Sequence, residues 1–216
     1  MTGRLFLFLL LFVPLTRMPA QSPWDPWPAE VVRQLNTASE VSYLSEEEKK
    51  VILFTNMARH DGALFVRTFL DTYVEEKQVE NSSYLRSLRR DLDGLDRLAP
   101  LYPEQDLSVI AQGHATKSGQ QGRVGHQDFN RRFEPLLGNP YNHVGENCSY
   151  GFETAIDIVI SLLIDEGVKD HGHRKNLLSE SFNSIGVGIR PHKSYRTNCV
   201  MDFGQRDRSG MNEVPY

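Results

Sequence analysis

Apolar residues recur along this chain with the period of helices through most of its length and with the period of strands near its end. Ser45 opens SEEEKKVILFTNMAR with Glu48 three residues on, a capping-box pattern that predicts a helix start there and an end near Asp61-Gly62. A second helix is expected from about Ala63 to Val74. Leu85, Leu88, Leu92 and Leu95 then recur at spacings of three, four and three, which makes one helix face apolar. Past Pro100 and Pro103, LSVIAQGHATKSGQQG sets Leu107, Ile110, Ala111, His114 and Ala115 on a shared face, so His114 is expected to be a satisfied core histidine. Thr154 to Ile164 carries Ile156, Val159, Ile160, Leu163 and Ile164, another amphipathic helix. IGVGIR and NCVMDFG, rich in β-branched and aromatic residues, are expected to be two strands.

Helices outnumber strands and the clearest strands are consecutive, so the pattern points to an α+β class. Between them, Gly119 to Asn142 is rich in Gly, Arg, Asn and Pro and is expected to be a long loop with short structured pieces. Loops of that length commonly form binding surfaces. GEN at 145–147 has the composition of a turn. Upstream, SPWDPWPAE predicts an extended arm whose two indoles could pack on the domain, and RDRSGMNEVPY looks like a frayed tail.

The first residues change the compartment. Arg4 precedes an apolar run from Leu5 to Leu15, and a small residue, Ala20, follows, which is the pattern of a secretory signal peptide cut after Ala20. The run is short for a membrane span, which needs about 20 apolar residues, and no comparable run follows. The mature protein is therefore expected to be secreted or periplasmic. The formal charge of −4 grows more negative when Arg4 and Arg17 leave, which argues against nucleic acid as a partner. Cys148 and Cys199 are the two cysteines, and in an exported chain a bridge between them is expected, with two separate buried thiols as the alternative.

Acids and imidazoles gather late in the chain. GENCSYG at 145–151 and DEGVKDHGHRKNLL at 165–178 bring Glu146, Asp165, Glu166, Asp170, His171 and His173 into a short span, with His126 in VGHQDF upstream. Their order, followed by GVGIRPH and CVMDFG, resembles the CAP superfamily of SCP/PR-1-like domains, in its bacterial secreted form. The resemblance covers about 44–205 and implies a three-layer α-β-α sandwich with a small, mainly antiparallel sheet. It leaves 21–43 as the arm and 206–216 as the tail.

The resemblance also implies a cleft lined by His126, Glu146, Asp165 and His173, with Glu166 or Asp170 as alternatives to Asp165. His126 and His173 could hold a divalent metal such as zinc, and the carboxylates would orient the rings from behind. The alternative is a hydrogen-bonded network that orients its surroundings. Family members bind lipids, glycans or proteins, so a ligand-binding module is the expected role. The competing role is a metal-assisted hydrolase acting on peptide or cell-envelope substrates, with Glu146 and His173 as candidate catalytic groups. No HExxH, GxSxG or phosphate-binding glycine loop occurs.

Overall fold

Ser45 caps the helix it was expected to start. Its Oγ accepts the Glu48 N–H at 3.3 Å while Glu48 Oε2 accepts the Ser45 N–H at 2.7 Å, which satisfies two donors at an end that has no intrahelical partners. The structure, a computed structural model, describes residues 22–207. The signal-like segment and the end of the tail lie outside the described residues.

In chain order the elements are α1 (Ala29–Leu35), α2 (Glu46–His60), α3 (Gly62–Phe65), a π-helical turn (Val66–Leu70), α4 (Asp71–Lys77), α5 (Ser83–Asp93), β1 (Tyr102–Pro103), α6 (Gln105–Gln121), α7 (Phe129–Phe133), β2 (Tyr141–Tyr150), α8 (Ala155–Ile164), α9 (Gly172–Leu177), β3 (Ser184–His192) and β4 (Arg196–Arg206). The strands lie in the order β1-β3-β4-β2, with β1 parallel to β3 and the other pairs antiparallel. α2 and α8 cover one face, where Ile52, Met57, Phe65, Ile158, Leu163, Ile185, Met201 and Phe203 form the main core. α6 covers the other face over two smaller clusters, Leu107 with Phe133, Tyr141 and Val144, and Ala111 with Ala115, Cys148 and Val200. The result is the expected α+β sandwich of three layers.

α6 can lie so close to the sheet because β3 offers it glycines. A Cβ on Gly186 would fall 2.2 Å from the Leu107 carbonyl carbon, and one on Gly188 would fall 2.6 Å from Gln112 Cα. Any side chain there would push the helix off the sheet. On the opposite face Glu48 ties α2 to β3, accepting from Ile189 N at 2.9 Å and from Arg190 Nη1 at 2.7 Å.

Three expectations need correction. GEN is not a turn but the middle of β2, because nine residues of that strand pair with β4 from Tyr141 to Tyr150. Cys148 and Cys199 are separate buried thiols and form no bridge. The register explains why: Cys148 is opposite Val200 and shares the α6 face with it, while Cys199 is one residue away along β4 and so points into the main core. Finally, the segment expected to be an extended arm forms a turn and the helix α1. Its indoles do meet the domain, with Trp27 Nε1 donating to Thr68 Oγ1 at 3.0 Å and Trp24 lying edge-on to Phe69.

Candidate functional site

Glu146 projects from β2 toward the α6 layer, buried to 6% exposure. Arg132, at the end of α7, grips it with two bonds, Nη1 to Oε2 at 2.6 Å and Nη2 to Oε1 at 2.9 Å. This is the fork geometry that suits a guanidinium to a carboxylate. His126 adds a third contact, Nδ1 to Oε1 at 2.8 Å. Burial pushes the Glu146 carboxyl up, but the bonds from His126 and Arg132 outweigh it and hold the group down to about 2. Glu146 is therefore a tightly held anion with one acceptor position left.

Across the β2–β4 ladder from Glu146 lies Asp202, completely buried. Among the described residues neither of its oxygens finds a donor. Burial, reinforced by the Glu146 charge, pushes its pKa well above the usual carboxylate range. Asp202 is thus a neutral acid, and its own hydroxyl is the donor that an ionised Glu146 can accept. His114 and Cys148 complete this side. Burial lowers the His114 pKa, and its Nε2 lies 2.9 Å from the Gly125 carbonyl. Burial and then the Glu146 charge keep Cys148 a thiol.

The second cluster is built at the junction of α8 and α9. α8 stops at Asp165, which adopts a left-handed φ of 59° as its C-cap. From there its carboxylate reaches the start of α9, accepting from His173 N at 2.9 Å and Arg174 N at 3.3 Å, the groups a helix start leaves unpaired. The other oxygen lies 2.6 Å from His173 Nδ1. Arg174, buried, closes the end of α8 by donating to the Leu163 and Ile164 carbonyls at 2.6 and 2.8 Å, and it pairs with Asp91 on α5 at 2.8 Å. The GHR motif is thus largely a device for joining helices.

The four expected residues come together as two pairs, His126 with Glu146 and His173 with Asp165. Edge strand β2 links the pairs: Asn147 Nδ2 donates to the His173 carbonyl at 2.9 Å, and Asn176 Nδ2 donates to Asn147 Oδ1 at 2.8 Å and to the Glu146 carbonyl at 3.3 Å. Of the three acids considered beside His173, Asp165 is the partner, while Glu166 accepts from Ser82. His171 packs edge-on against Tyr84. Nearby, Phe133 and Tyr141 are fully buried and pack under α6, and the Tyr150 hydroxyl accepts the Gly125 N–H.

Both imidazoles use Nδ1 on a carboxylate, an acceptor only, so each ring carries a proton there, and in the neutral tautomer this fixes, Nε2 carries the lone pair. The side chains of His126 and His173 are 48% and 25% exposed, while the carboxylates behind them are 1% and 2% exposed. Separately, His114, Glu146 and Cys148 each bring one ligand atom within 4.8 Å of the others, a spacing that could hold a metal ion. That group is poorly prepared for one, because its thiol is held protonated and its carboxylate is already taken by a guanidinium. Sequence reasoning missed Arg132 and Asp202. A cation in NRRF between His126 and GEN was the one available signal for the first, and nothing local signals the second.

An α-β-α sandwich with histidine–carboxylate pairs on either side of its edge strand defines the class of domain. The family model described as CAP, cysteine-rich secretory protein family, matches residues 83–203, and the chain belongs to that family. Among solved structures, it is similar to an extracellular SCP-domain protein of Bacillus anthracis, with 23% identity over 50% of this chain and 35% of that one, at a TM-score of 0.42. An outer surface protein of Borrelia burgdorferi gives 18% identity over 60% and 97%, at a TM-score of 0.43. Venom allergen-like protein 4 of Schistosoma mansoni gives 15% over 76% and 91%, at a TM-score of 0.47. The chain thus spans about a third of the length of the Bacillus anthracis protein. A comparison with curated proteins gives no significant match. Among the described residues no helix is long and apolar enough to cross a membrane.

Proposed function

We propose that this CAP-domain protein is exported, to a secreted or periplasmic place, and acts there as a binding module whose ligand meets His126 and His173. The apolar run from Leu5 to Leu15 supports export, as do the extracellular and outer-surface descriptions of the Bacillus and Borrelia proteins. One observation carries the binding role: each imidazole is held at Nδ1 by a buried carboxylate while its side chain stays partly exposed. Neutral imidazoles backed in this way are the donor set for a divalent metal such as zinc, with positions left for a lipid, glycan or protein group.

Hydrolysis receives less support. A general base works best with a pKa near the operating pH, and Glu146 is held at about 2 with both oxygens occupied. Cys148, a buried thiol, is no nucleophile.

The test is metal content of the purified protein beside a His126→Ala/His173→Ala double variant. Zinc should stay with the wild type and leave the variant, and its affinity should fall on acidification because protons compete for the ring nitrogens. Equal metal in both proteins would remove the two histidines as ligands.

A further inference from the structure

The outer face of α6 borders a cavity of about 500 Å³ that continues, past Val109, Ile110 and Arg132, into a second of about 660 Å³ at the start of the helix. Val109 is 61% exposed in its floor. Beside it a Cβ on Gly113 would meet nothing within 4 Å, so the glycine keeps the floor open. Val109, Gly113, Lys117 and Gln121 stand at successive i+4 positions and form one stripe along the helix. The stripe is roughly 18 Å long at about 1.5 Å per residue.

Charge is unequal along it. Lys117, Arg123 and Arg131 line the cavity toward the end of α6. Asp128 is shared by two of them, with Lys117 at 3.1 Å and Arg131 at 2.7 Å, and among the described residues Arg123 has no carboxylate partner. Glu104 and Asp106 stand at the opposite end, paired with Arg206. In a chain with a formal charge of −4, the basic end is a local reversal of sign.

We propose that this groove binds an acidic peptide segment in extended form, with small apolar side chains on Val109 and Ile110 and carboxylates against Lys117, Arg123 and Arg131. The length of the stripe matches five or six extended residues at about 3.3 Å each, far more than a lone anion needs. Among the described residues no Phe, Tyr or Trp lines either cavity to stack on a sugar, and Val109 and Ile110 are the only large aliphatic side chains of the first, too few to enclose an acyl chain. This goes beyond the reading at His126 and His173: the groove is a second site, lined by neither histidine, and it does not depend on a ligand there.

Fluorescence anisotropy with a labelled hexapeptide of alanine and valine ending in glutamates, against the same peptide ending in glutamines, tests it. The glutamate peptide should bind at least about tenfold tighter, with the preference shrinking as salt screens the rim. Arg123→Glu combined with Arg131→Glu should abolish the preference. Gly113→Trp should fill the groove and remove binding, while Gly113→Ala should retain it, and thermal melting confirms that both fold. The His126→Ala/His173→Ala variant should bind the peptide as the wild type does, which separates this site from the metal site. Equal binding of the two peptides, undiminished binding by Gly113→Trp, loss in the histidine variant, or complete competition by inorganic phosphate at the peptide's own concentration would each overturn the proposal.

Discussion

Asp202 stands directly opposite Glu146 in the β2–β4 ladder, and the two acids share one buried environment under α6 as a neutral acid beside an anion. Two carboxylates cannot both ionise cheaply at such a place. The arrangement resolves this by placing Arg132 and His126 on Glu146 and leaving the proton on Asp202. The anion that orients His126 therefore depends on a strand residue on the far side of it.

Asp202→Asn should stabilise the protein at neutral pH. The folded-state pKa of Asp202 is raised, so the folded chain keeps a proton that the unfolded chain releases above its ordinary value of about 4. Wild-type stability consequently declines as pH rises above about 4, a cost that the neutral amide avoids while its N–H donates to Glu146 in place of the acid hydroxyl. Urea unfolding should give a gain of about 1–3 kcal/mol near pH 7 that shrinks toward zero below about pH 4. A variant less stable than wild type at neutral pH would contradict a protonated Asp202.

Arg132→Met should have the opposite dependence. Glu146 has a lowered folded-state pKa, so its contribution is fully present above the unfolded value of about 4 and is lost as pH falls toward about 2. Removing the guanidinium leaves a buried anion with His126 as its main partner, at a cost of about 3 kcal/mol near neutral pH. The penalty should narrow between about pH 4 and pH 2 as wild-type Glu146 itself takes up a proton. Adding Glu146→Gln to Arg132→Met should recover part of the loss. A penalty that stays constant with pH, or a double variant worse than the sum of its parts, would show that Arg132 acts through packing instead.

What the sequence exposed and what it hid divide along the range of the interactions. Ser45 and Glu48 lie three residues apart, so their cap is a local event and legible as a pattern. His173 and Asp165 lie eight apart, and a family motif pointed to both. GEN misled because its composition favours turns, whereas its conformation is set by pairing with β4 some fifty residues later. Asp202 and Arg132 were hidden for the same reason, since their importance depends on register and on where α7 comes to lie. A one-residue difference in that register would have put Cys148 and Cys199 on the same face.

Both cysteines should titrate as free thiols. Denatured without reductant and treated with an alkylating reagent, the protein should gain two adducts in intact-mass measurement, since Cys148 and Cys199 point to opposite faces of the sheet. Under native conditions both should react slowly, because burial raises both thiols above their usual range. One measurement is decisive: a mass two protons lighter than the reduced chain, with no adducts, would mean a bridge and a different register.

Residues 22–43 should prove inseparable from the domain that follows them. Trp27, at 5% exposure, packs in the main core with Leu35 and Ala38, so Trp27→Ala should cost about 3–5 kcal/mol. Trp27→Phe loses only the indole bond to Thr68, whose hydroxyl still donates to the Leu64 carbonyl at 2.7 Å, and should cost about 1 kcal/mol beyond the smaller ring. Deleting the whole segment should do more than either. Asn56 is fully buried, and its side-chain N–H groups reach the Leu35 carbonyl at 3.0 Å and Thr37 Oγ1 at 3.3 Å as well as the Leu101 carbonyl at 3.1 Å. Without the segment, a polar side chain at the centre of α2 loses two of those partners and the main core opens where Trp27 and Leu35 stood. Circular dichroism of a chain beginning at residue 44 should therefore show a melting temperature far below that of one beginning at residue 22. An unchanged melting temperature would mean that the domain starts where the sequence pattern first placed it, and that the arm packs on it without supporting it.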